Sequence, residues 1–281
     1  MRWQPRSLAL ATHPGPTVAV TLIVVVLAAG VGLDPWRIAL LGAVLLLNQL
    51  SVGLSNDWLD AERDRAVGRT DKPVALGLVP ASAVRLAAFA TAGMAVILSI
   101  LLGPAAALAH AVFLAAGWSY NLGLKRTPLS VLPYGIGFGT LPAVVTLSAE
   151  DPRGAAWWAI GAGAALGVAA HFANVLPDLE DDARTGIRGL PHRLGRAPTE
   201  AITWIALVAA AALVALGNAA RSPVAIAGLV AVVVIAVVGV AVGRSAAARG
   251  GPATRLSFRL ILAAAVLVVL LLALDGDAIL A

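Results

Sequence analysis

The stretch that decides the fold is residues 36–64, which read WRIALLGAVLLLNQLSVGLSNDWLDAERD. Its apolar part, 36–56, is long enough to form a helix that crosses a bilayer, which needs about 20 apolar residues. Acidic residues follow at once, so the end of this helix carries carboxylates. The stretch predicts a membrane protein with a polar site at the end of a helix.

The composition of the whole chain points to the same class. Of the 281 residues, 60% are hydrophobic and 12% are charged, and the mean hydropathy is +0.90. A soluble domain has about 25% charged residues, so this chain lacks the polar groups for a water-facing surface. There is no cysteine, which excludes disulfides, zinc thiolates and cysteine nucleophiles.

Further apolar runs of similar length extend the pattern over the chain. Including 36–56 there are nine, rich in small and aliphatic residues that suit helix packing in lipid. They cover 16–33, 36–56, 82–103, 105–123, 129–148, 155–176, 200–217, 221–243 and 256–274. We predict an all-α integral membrane protein with nine transmembrane helices, arranged as two four-helix halves plus a ninth helix. Residues 1–281 form a single polytopic domain in this prediction.

The basic residues predict the orientation in the membrane. If the N-terminus is cytoplasmic, the loops on that side hold all of the 20 Lys and Arg residues except Arg37, Arg153 and Arg221. This bias favours a cytoplasmic N-terminus and an outside C-terminus in a cell membrane. Two long charged connections, 57–80 and 178–199, then open on the cytoplasmic face. The bias also accounts for the net charge of +5, and we expect no nucleic-acid partner.

The first acidic motif occupies the start of the connection 57–80. At 100° per residue, Asn56, Asp60 and Asp64 fall within 80° of one another, and Asp57 lies close to them. Glu62 points elsewhere. One stripe of a helix end therefore carries three carboxylates and a carboxamide.

The second acidic motif lies after the sixth run. Asp178, Asp181 and Asp182 share one face of a helix, which extends backwards to His171. Because four predicted spans separate the two motifs, both lie on the same side of the membrane. Such facing carboxylates repel one another unless cations lie between them, and oxygen ligands suit Mg²⁺, which also binds substrate phosphates. We predict a magnesium site that holds a diphosphate.

Several basic side chains near these motifs would neutralise the remaining phosphate charge. They are Arg63, Arg69, Lys72, Lys125, Arg126 and Arg193. Charge runs at the ends of membrane helices are often only solvated boundaries. Two stripes with the same i, i+4 repeat on one membrane face favour the metal site over that interpretation.

These motifs resemble those of the UbiA-type intramembrane prenyltransferases, and the resemblance covers nearly the whole chain. The family pattern NDxxDxxxD is matched by Asn56, Asp57, Asp60 and Asp64, and DxxxD by Asp178 and Asp182. The segment 69–73 is similar to the RxxRP segment, with Lys72 in place of the second Arg. The segment 120–126 is similar to the Tyr…Lys-Arg segment that follows the fourth span.

The resemblance implies a helical fold around a central cavity and Mg²⁺-dependent ionisation of an isoprenyl diphosphate. The expected metal ligands are Asn56, Asp60, Asp64, Asp178, Asp181 and Asp182. The expected diphosphate contacts are Asn56, Arg63, Arg69, Lys72, Lys125, Arg193 and the hydroxyl of Tyr120. The expected catalytic residues are Asp57, Asp60, Asp64, Asp178, Asp182 and His171.

Three functions stay open at this point. A prenyltransferase would pass the allylic carbocation to an aromatic or related small acceptor, and a terpene cyclase would let the cation react with itself. A transporter would use the acidic stripes as a cation site. The sparse aromatic residues favour transfer. His171 is placed to contact an acceptor or act as a base, although a lone membrane histidine is also a common packing residue.

Overall fold

The computed structural model describes residues 5–177, 179, 186–217, 223–248 and 255–281. These residues form an all-helical structure, apart from one isolated bridge between Ala155 and Leu280. The helices are α1 (Pro5–Ala11), α2 (Pro14–Gly30), α3 (Pro35–Leu59), α4 (Ala61–Ala66), α5 (Ala81–Ile100), α6 (Pro104–Leu122), α7 (Leu132–Thr146), α8 (Trp157–Val175), α9 (Leu190–Leu194), α10 (Arg196–Gly217), α11 (Pro223–Ala248) and α12 (Arg255–Leu274). Short 3₁₀ turns cover Leu124–Arg126 and Gly276–Ile279.

Each of the nine predicted apolar runs overlaps largely with one helix of 15 or more residues. Six helices in the described part of the chain are long and apolar enough to cross a membrane. They are Pro35–Leu59, Ala81–Ile100, Trp157–Val175, Arg196–Gly217, Pro223–Ser245 and Leu256–Leu274. The shorter apolar helices α2 and α7 have 17 and 15 residues. A 15-residue helix spans about 22 Å, less than the hydrocarbon core. The prediction of an all-helical fold is confirmed, whereas the count of nine crossings is not.

The long helices pack in the order of the chain. Each one contacts the next, from α2 through α3, α5, α6, α7, α8, α10 and α11 to α12, and α12 packs back against α2. The described helices therefore close into a ring. This packing brings the ends of α3 and α6 to one site, while the division into two halves remains a prediction.

Glycines on α8 bring that helix unusually close to α7. A Cβ atom on Gly167 would collide with the carbonyl oxygen of Tyr134, and one on Gly163 with the carbonyl oxygen of Phe138. Small residues allow such close approach of helices in lipid. One turn after Gly167, the ring of His171 consequently packs beside that of Tyr134, with centroids 5.0 Å apart.

Candidate active site

The first acidic motif lies at the junction of α3 and α4. The backbone N–H of Asp60 donates to the carbonyl oxygen of Asn56 at 3.0 Å, and that of Asp64 to the carbonyl oxygen of Asp60 at 2.8 Å. Asn56, Asp60 and Asp64 thus follow one another at successive helical turns. Asp60 and Asp64 are each only 2% exposed, whereas Glu62 is exposed.

Three basic side chains converge on Asp60. Lys125, on the 3₁₀ turn after α6, places Nζ 2.5 Å from Oδ2, and Arg63 places Nη2 3.1 Å from the same oxygen. Arg126 places Nη2 3.9 Å from Oδ1. Arg63 also donates to Oδ1 of Asp64 at 2.8 Å. Burial lowers the pKa of Lys125, and the Asp60 carboxylate opposes that shift. These ion pairs therefore join the segment that follows α6 to the helical stripe of Asn56, Asp60 and Asp64.

One oxygen of each of these two carboxylates stays without a hydrogen bond. Oδ1 of Asp60 and Oδ2 of Asp64 are buried and accept no hydrogen bond from any described residue. A buried polar atom without a hydrogen bond is costly, and a hard cation that binds oxygen ligands removes that cost. The chemistry of these two oxygens therefore fits a divalent cation, while Lys125 and Arg63 contact the other oxygen of each carboxylate.

Lys72, in the connection after α4, contacts the start of the same motif. Its Nζ donates to Oδ1 of Asn56 at 3.2 Å and forms an ion pair with Oδ1 of Asp57 at 3.2 Å. Asp57 is completely buried, and its Oδ2 accepts a hydrogen bond from the backbone N–H of Val74 at 3.5 Å. Asp57 therefore anchors the loop that carries Lys72.

Arg69 and Arg193, both expected at the diphosphate, have partners of their own. The guanidinium of Arg69 pairs with both carboxylate oxygens of Asp71, at 2.8 and 2.7 Å, and lowers the pKa of Asp71 to about 2. Arg193 lies on α9 and donates from Nε to the carbonyl oxygen of Arg188 at 2.9 Å. Within the described residues, no hydrogen bond or ion pair joins the side chain of Arg193 to the first motif.

His171, 1% exposed, lies within a cluster of aromatic rings. The ring centroids of Tyr120, Tyr134 and Phe172 lie 5.8, 5.0 and 5.5 Å from that of His171. Phe138 stacks on Tyr134 at 6.3 Å. Tyr120 and Tyr134 also meet edge to face at 5.2 Å. The helices α6, α7 and α8 thus build one aromatic wall that includes the predicted tyrosine.

A hydrogen bond with Ser130 holds the ring of His171. The hydroxyl of Ser130 accepts from the backbone N–H of Leu190 at 2.9 Å and lies 3.0 Å from Nε2 of His171. Because a hydroxyl can both donate and accept, this contact fits either neutral tautomer of the imidazole. Nδ1 is buried and has no hydrogen-bond partner in the part of the chain that is described. Nδ1 is therefore the ring nitrogen that is left for a hydrogen bond to a bound molecule.

A comparison with protein-family models identifies the family of the chain. The model of the UbiA prenyltransferase family matches residues 17–249, most of the chain. The chain belongs to the UbiA prenyltransferase family. Its membership and its apolar helices together make it a multi-pass membrane protein. The resemblance of the chain to this family is thereby confirmed.

Solved structures of UbiA homologues share the fold at low sequence identity. A homologue from Archaeoglobus fulgidus, bound to GPP and Mg²⁺, is 13% identical, with a TM-score of 0.75 over 97% of this chain and 99% of its own. An apo homologue from Aeropyrum pernix K1 is 20% identical, with a TM-score of 0.71 over 89% of this chain and 95% of its own. A comparison with curated proteins finds no match.

The second motif of this UbiA-family chain falls outside the described residues. Asp178, Asp181 and Asp182 belong to that part, and α8 ends before them at Val175. Within the described residues alone, no group of three or more His, Cys, Asp or Glu side chains could hold a metal ion. The contribution of the second motif to a metal site therefore remains a prediction.

The structure adds polar residues to the site that sequence patterns did not single out. Asn121, at the end of α6, accepts from Nδ2 of Asn56 at 3.2 Å and donates to Ser55 at 2.8 Å. Ser130 links His171 to the segment that follows the second motif. His13 reaches Lys72 from the start of α2. Only the position of Asn121, within the segment 120–126, gave a signal in the sequence.

Proposed function

We propose that the protein transfers a prenyl group from an isoprenyl diphosphate to an aromatic or related small acceptor. One observation carries the proposal. The buried carboxylates Asp60 and Asp64 each keep an oxygen without a hydrogen bond while Lys125 and Arg63 are held against them. Acidic groups for a metal and basic groups for phosphate therefore meet at one site, which a transporter for a simple cation does not need.

Residues of both motifs would hold the metal ions. The proposed ligands are Asn56, Asp60, Asp64, Asp178, Asp181 and Asp182. Bound there, Mg²⁺ would neutralise the diphosphate and make it a better leaving group. The homologue from A. fulgidus in complex with GPP or DMAPP and Mg²⁺ supports this choice of metal and substrate.

The basic side chains of the chain bind the leaving group. Three of them already contact side chains of the first acidic motif, namely Lys125, Arg63 and Lys72. These cations stabilise the negative charge that develops on the diphosphate as the allylic C–O bond breaks. Both electrons of that bond stay with the diphosphate oxygen, which leaves an allylic carbocation. Further contacts are proposed from Arg69, Arg193 and the hydroxyl of Tyr120.

The aromatic wall would surround the allylic carbocation, which is the other product of that step. The rings of Tyr134 and Phe172 lie beside His171, and Phe138 stacks on Tyr134. The faces of such rings attract a cation. A ring carbon or oxygen of the acceptor then bonds to the allylic carbon, and that atom gives up its proton to water or to the released diphosphate. Nδ1 of His171 would form a hydrogen bond with a polar group of the acceptor, because Nε2 already contacts Ser130.

The same ring cluster favours a second candidate, a terpene cyclase. Five aromatic rings around one site, Tyr120, Tyr134, Phe138, His171 and Phe172, would also stabilise a carbocation that attacks its own double bonds. The two candidates differ only in what captures the cation. In either case the proposed active-site loops are the connections 57–80 and 178–199, on the cytoplasmic side of one polytopic domain in a cell membrane, with the N-terminus inside.

Product analysis tests this proposal. Purified protein with Mg²⁺ receives geranyl, farnesyl or geranylgeranyl diphosphate, with and without a panel of aromatic acceptors. A prenylated product that forms only with an acceptor is the expected result, and it identifies both substrates. Diphosphate release with a hydrocarbon or alcohol and no acceptor would indicate the cyclase. Inert prenyl diphosphates together with cation flux in proteoliposomes would contradict both enzymes and indicate a transporter.

Replacing His171 is expected to separate ionisation from transfer. In His171→Ala, prenylated product per diphosphate released should fall about tenfold, since one hydrogen bond to the acceptor is lost. His171→Asn, which keeps a donor near the position of Nδ1, should retain part of the coupling. His110→Ala is the control, because His110 is equally buried but pairs with Asn48 elsewhere. An unchanged ratio in His171→Ala would make His171 a packing residue.

A further inference from the structure

His13 has a backbone conformation that needs an explanation. It is the only non-glycine residue with a positive φ in the described part of the chain, at φ 52° and ψ 65°. A side chain disfavours this left-handed region, and the following Pro14 restricts His13 further. Such a conformation persists only where the surrounding structure holds it, and it often marks a functional position.

Close packing against α3 holds this segment in place. A Cβ atom on Gly53 would collide with the carbonyl oxygen of Thr12, so the link between α1 and α2 lies directly on the backbone of α3. The same carbonyl accepts a hydrogen bond from the hydroxyl of Thr17 at 2.8 Å. Gly53 lies one turn before Asp57 on α3. The link therefore delivers the His13 side chain to the acidic motif.

The imidazole of His13 contacts the ammonium of Lys72, which lies in the loop after α4. Nε2 lies 2.9 Å from Nζ of Lys72 and 3.9 Å from Oδ1 of Asp57. Burial, and then the Lys72 ammonium, lower the pKa of His13 to about 4. The ring is accordingly neutral at pH 7, and its Nε2 accepts a hydrogen bond from the ammonium.

Lys72 thereby contacts three groups from two parts of the chain. It forms hydrogen bonds with His13 and with Oδ1 of Asn56, the latter at 3.2 Å, and an ion pair with Oδ1 of Asp57, also at 3.2 Å. An ammonium is a compact charge with three donor hydrogens, so two acceptors and a carboxylate match it, whereas a planar guanidinium has a different donor geometry. His13 is the member of this set that lies outside both acidic motifs.

We propose that His13 is a positioning residue that holds the Lys72 ammonium against Asn56 and Asp57, where it binds the diphosphate of the substrate. This inference rests on the proposed function, since it gives Lys72 a diphosphate to bind. The N-terminal segment is then part of the active site. The link between α1 and α2, which packs on Gly53, holds the imidazole of His13 in place, and this imidazole in turn positions the ammonium of Lys72.

Replacing His13 with glycine tests the side chain without disturbing the backbone, because glycine adopts positive φ without strain. His13→Gly should raise the KM for the prenyl diphosphate about tenfold, the effect of one hydrogen bond to a charged group, and change kcat little. His13→Gln, whose side-chain oxygen can accept in place of Nε2, should restore most of the affinity. An unchanged KM in His13→Gly would overturn the proposal.

A double variant shows whether His13 acts through Lys72. Lys72→Met alone should raise the KM, and His13→Gly combined with Lys72→Met should raise it no further, because the histidine then has no cation to hold. Independent, multiplying effects of the two substitutions would contradict the proposal.

A measurement without turnover separates this inference from the proposed function. In protein labelled with ¹⁵N-histidine, the signals of His13 are identified by their loss in His13→Gly. Lys72→Met should shift the Nε2 resonance of His13 and leave those of His110 and His171 in place. If the His13 resonance shifts in Lys72→Met but the wild-type protein has no prenyltransferase or cyclase activity, only the proposed function is contradicted. The absence of a shift would overturn the His13 inference even in an active enzyme.

Discussion

Asp60→Asn should lower turnover of the prenyl diphosphate by about a thousandfold or more, the scale of losing a principal electrostatic contact at a reacting group. Asp60 lies at the centre of the site, with Lys125 and Arg63 on one oxygen and the other without a hydrogen bond. The amide keeps the shape of the side chain but removes its charge. The proposed metal then loses an anionic ligand, and the basic side chains lose the negative charge that they neutralise.

Asparagine is a sharper substitution here than alanine. Lys125 is only 4% exposed, and removing its partner altogether leaves a buried charge unpaired, which costs about 3–5 kcal/mol and endangers the fold. The amide oxygen of Asn still accepts from Lys125. Thermal unfolding in detergent should confirm that Asp60→Asn stays folded.

Glu62→Gln provides the matched control for Asp60→Asn. It removes one negative charge two residues away, from a side chain that is exposed, and should leave turnover close to that of the wild type. Full activity in Asp60→Asn would remove Asp60 from the metal site. Equal losses of turnover in Asp60→Asn and Glu62→Gln would show that turnover depends on the net negative charge of this segment and not on the Asp60 carboxylate itself.

The sequence predicts those features of the molecule that depend on local spacing. Apolar runs gave the positions of the long helices, because burial in lipid requires a continuous apolar stretch. The i, i+4 repeat gave the stripe of Asn56, Asp60 and Asp64, because the helical hydrogen bonds continue through Asp60. The basic segment 120–126 gave Lys125, which the structure places on Asp60.

Features that depend on packing between distant segments could not be predicted in this way. The contact of His13 with Lys72 joins residues far apart in the chain, and it exists because Gly53 lets the link approach α3. The hydrogen bond of His171 with Ser130 likewise joins residues far apart in the chain. No periodicity or motif encodes either contact.

The ion pairs also bear on the proposed metal site. Lys125 and Arg63 both contact Oδ2 of Asp60, and Arg63 contacts Oδ1 of Asp64. These two basic groups thus contact one oxygen of each carboxylate, and Arg126 approaches the opposite oxygen of Asp60 only to 3.9 Å. A cation that binds these oxygens need not displace Lys125 or Arg63, so both remain available to the diphosphate.

Removing divalent metal with EDTA should therefore stop product formation, and added Mg²⁺ should restore it. The sharper expectation concerns Asp64→Asn, in which a weaker amide ligand replaces the carboxylate with the free Oδ2. Its half-saturating Mg²⁺ concentration should rise about tenfold, in line with the loss of one metal contact, while excess Mg²⁺ recovers part of the rate. Glu62→Gln, assayed at matched ionic strength, should keep the Mg²⁺ dependence of the wild type. Product formed at the full rate in EDTA would refute the metal site, and an unshifted Mg²⁺ dependence in Asp64→Asn would place the metal on other ligands.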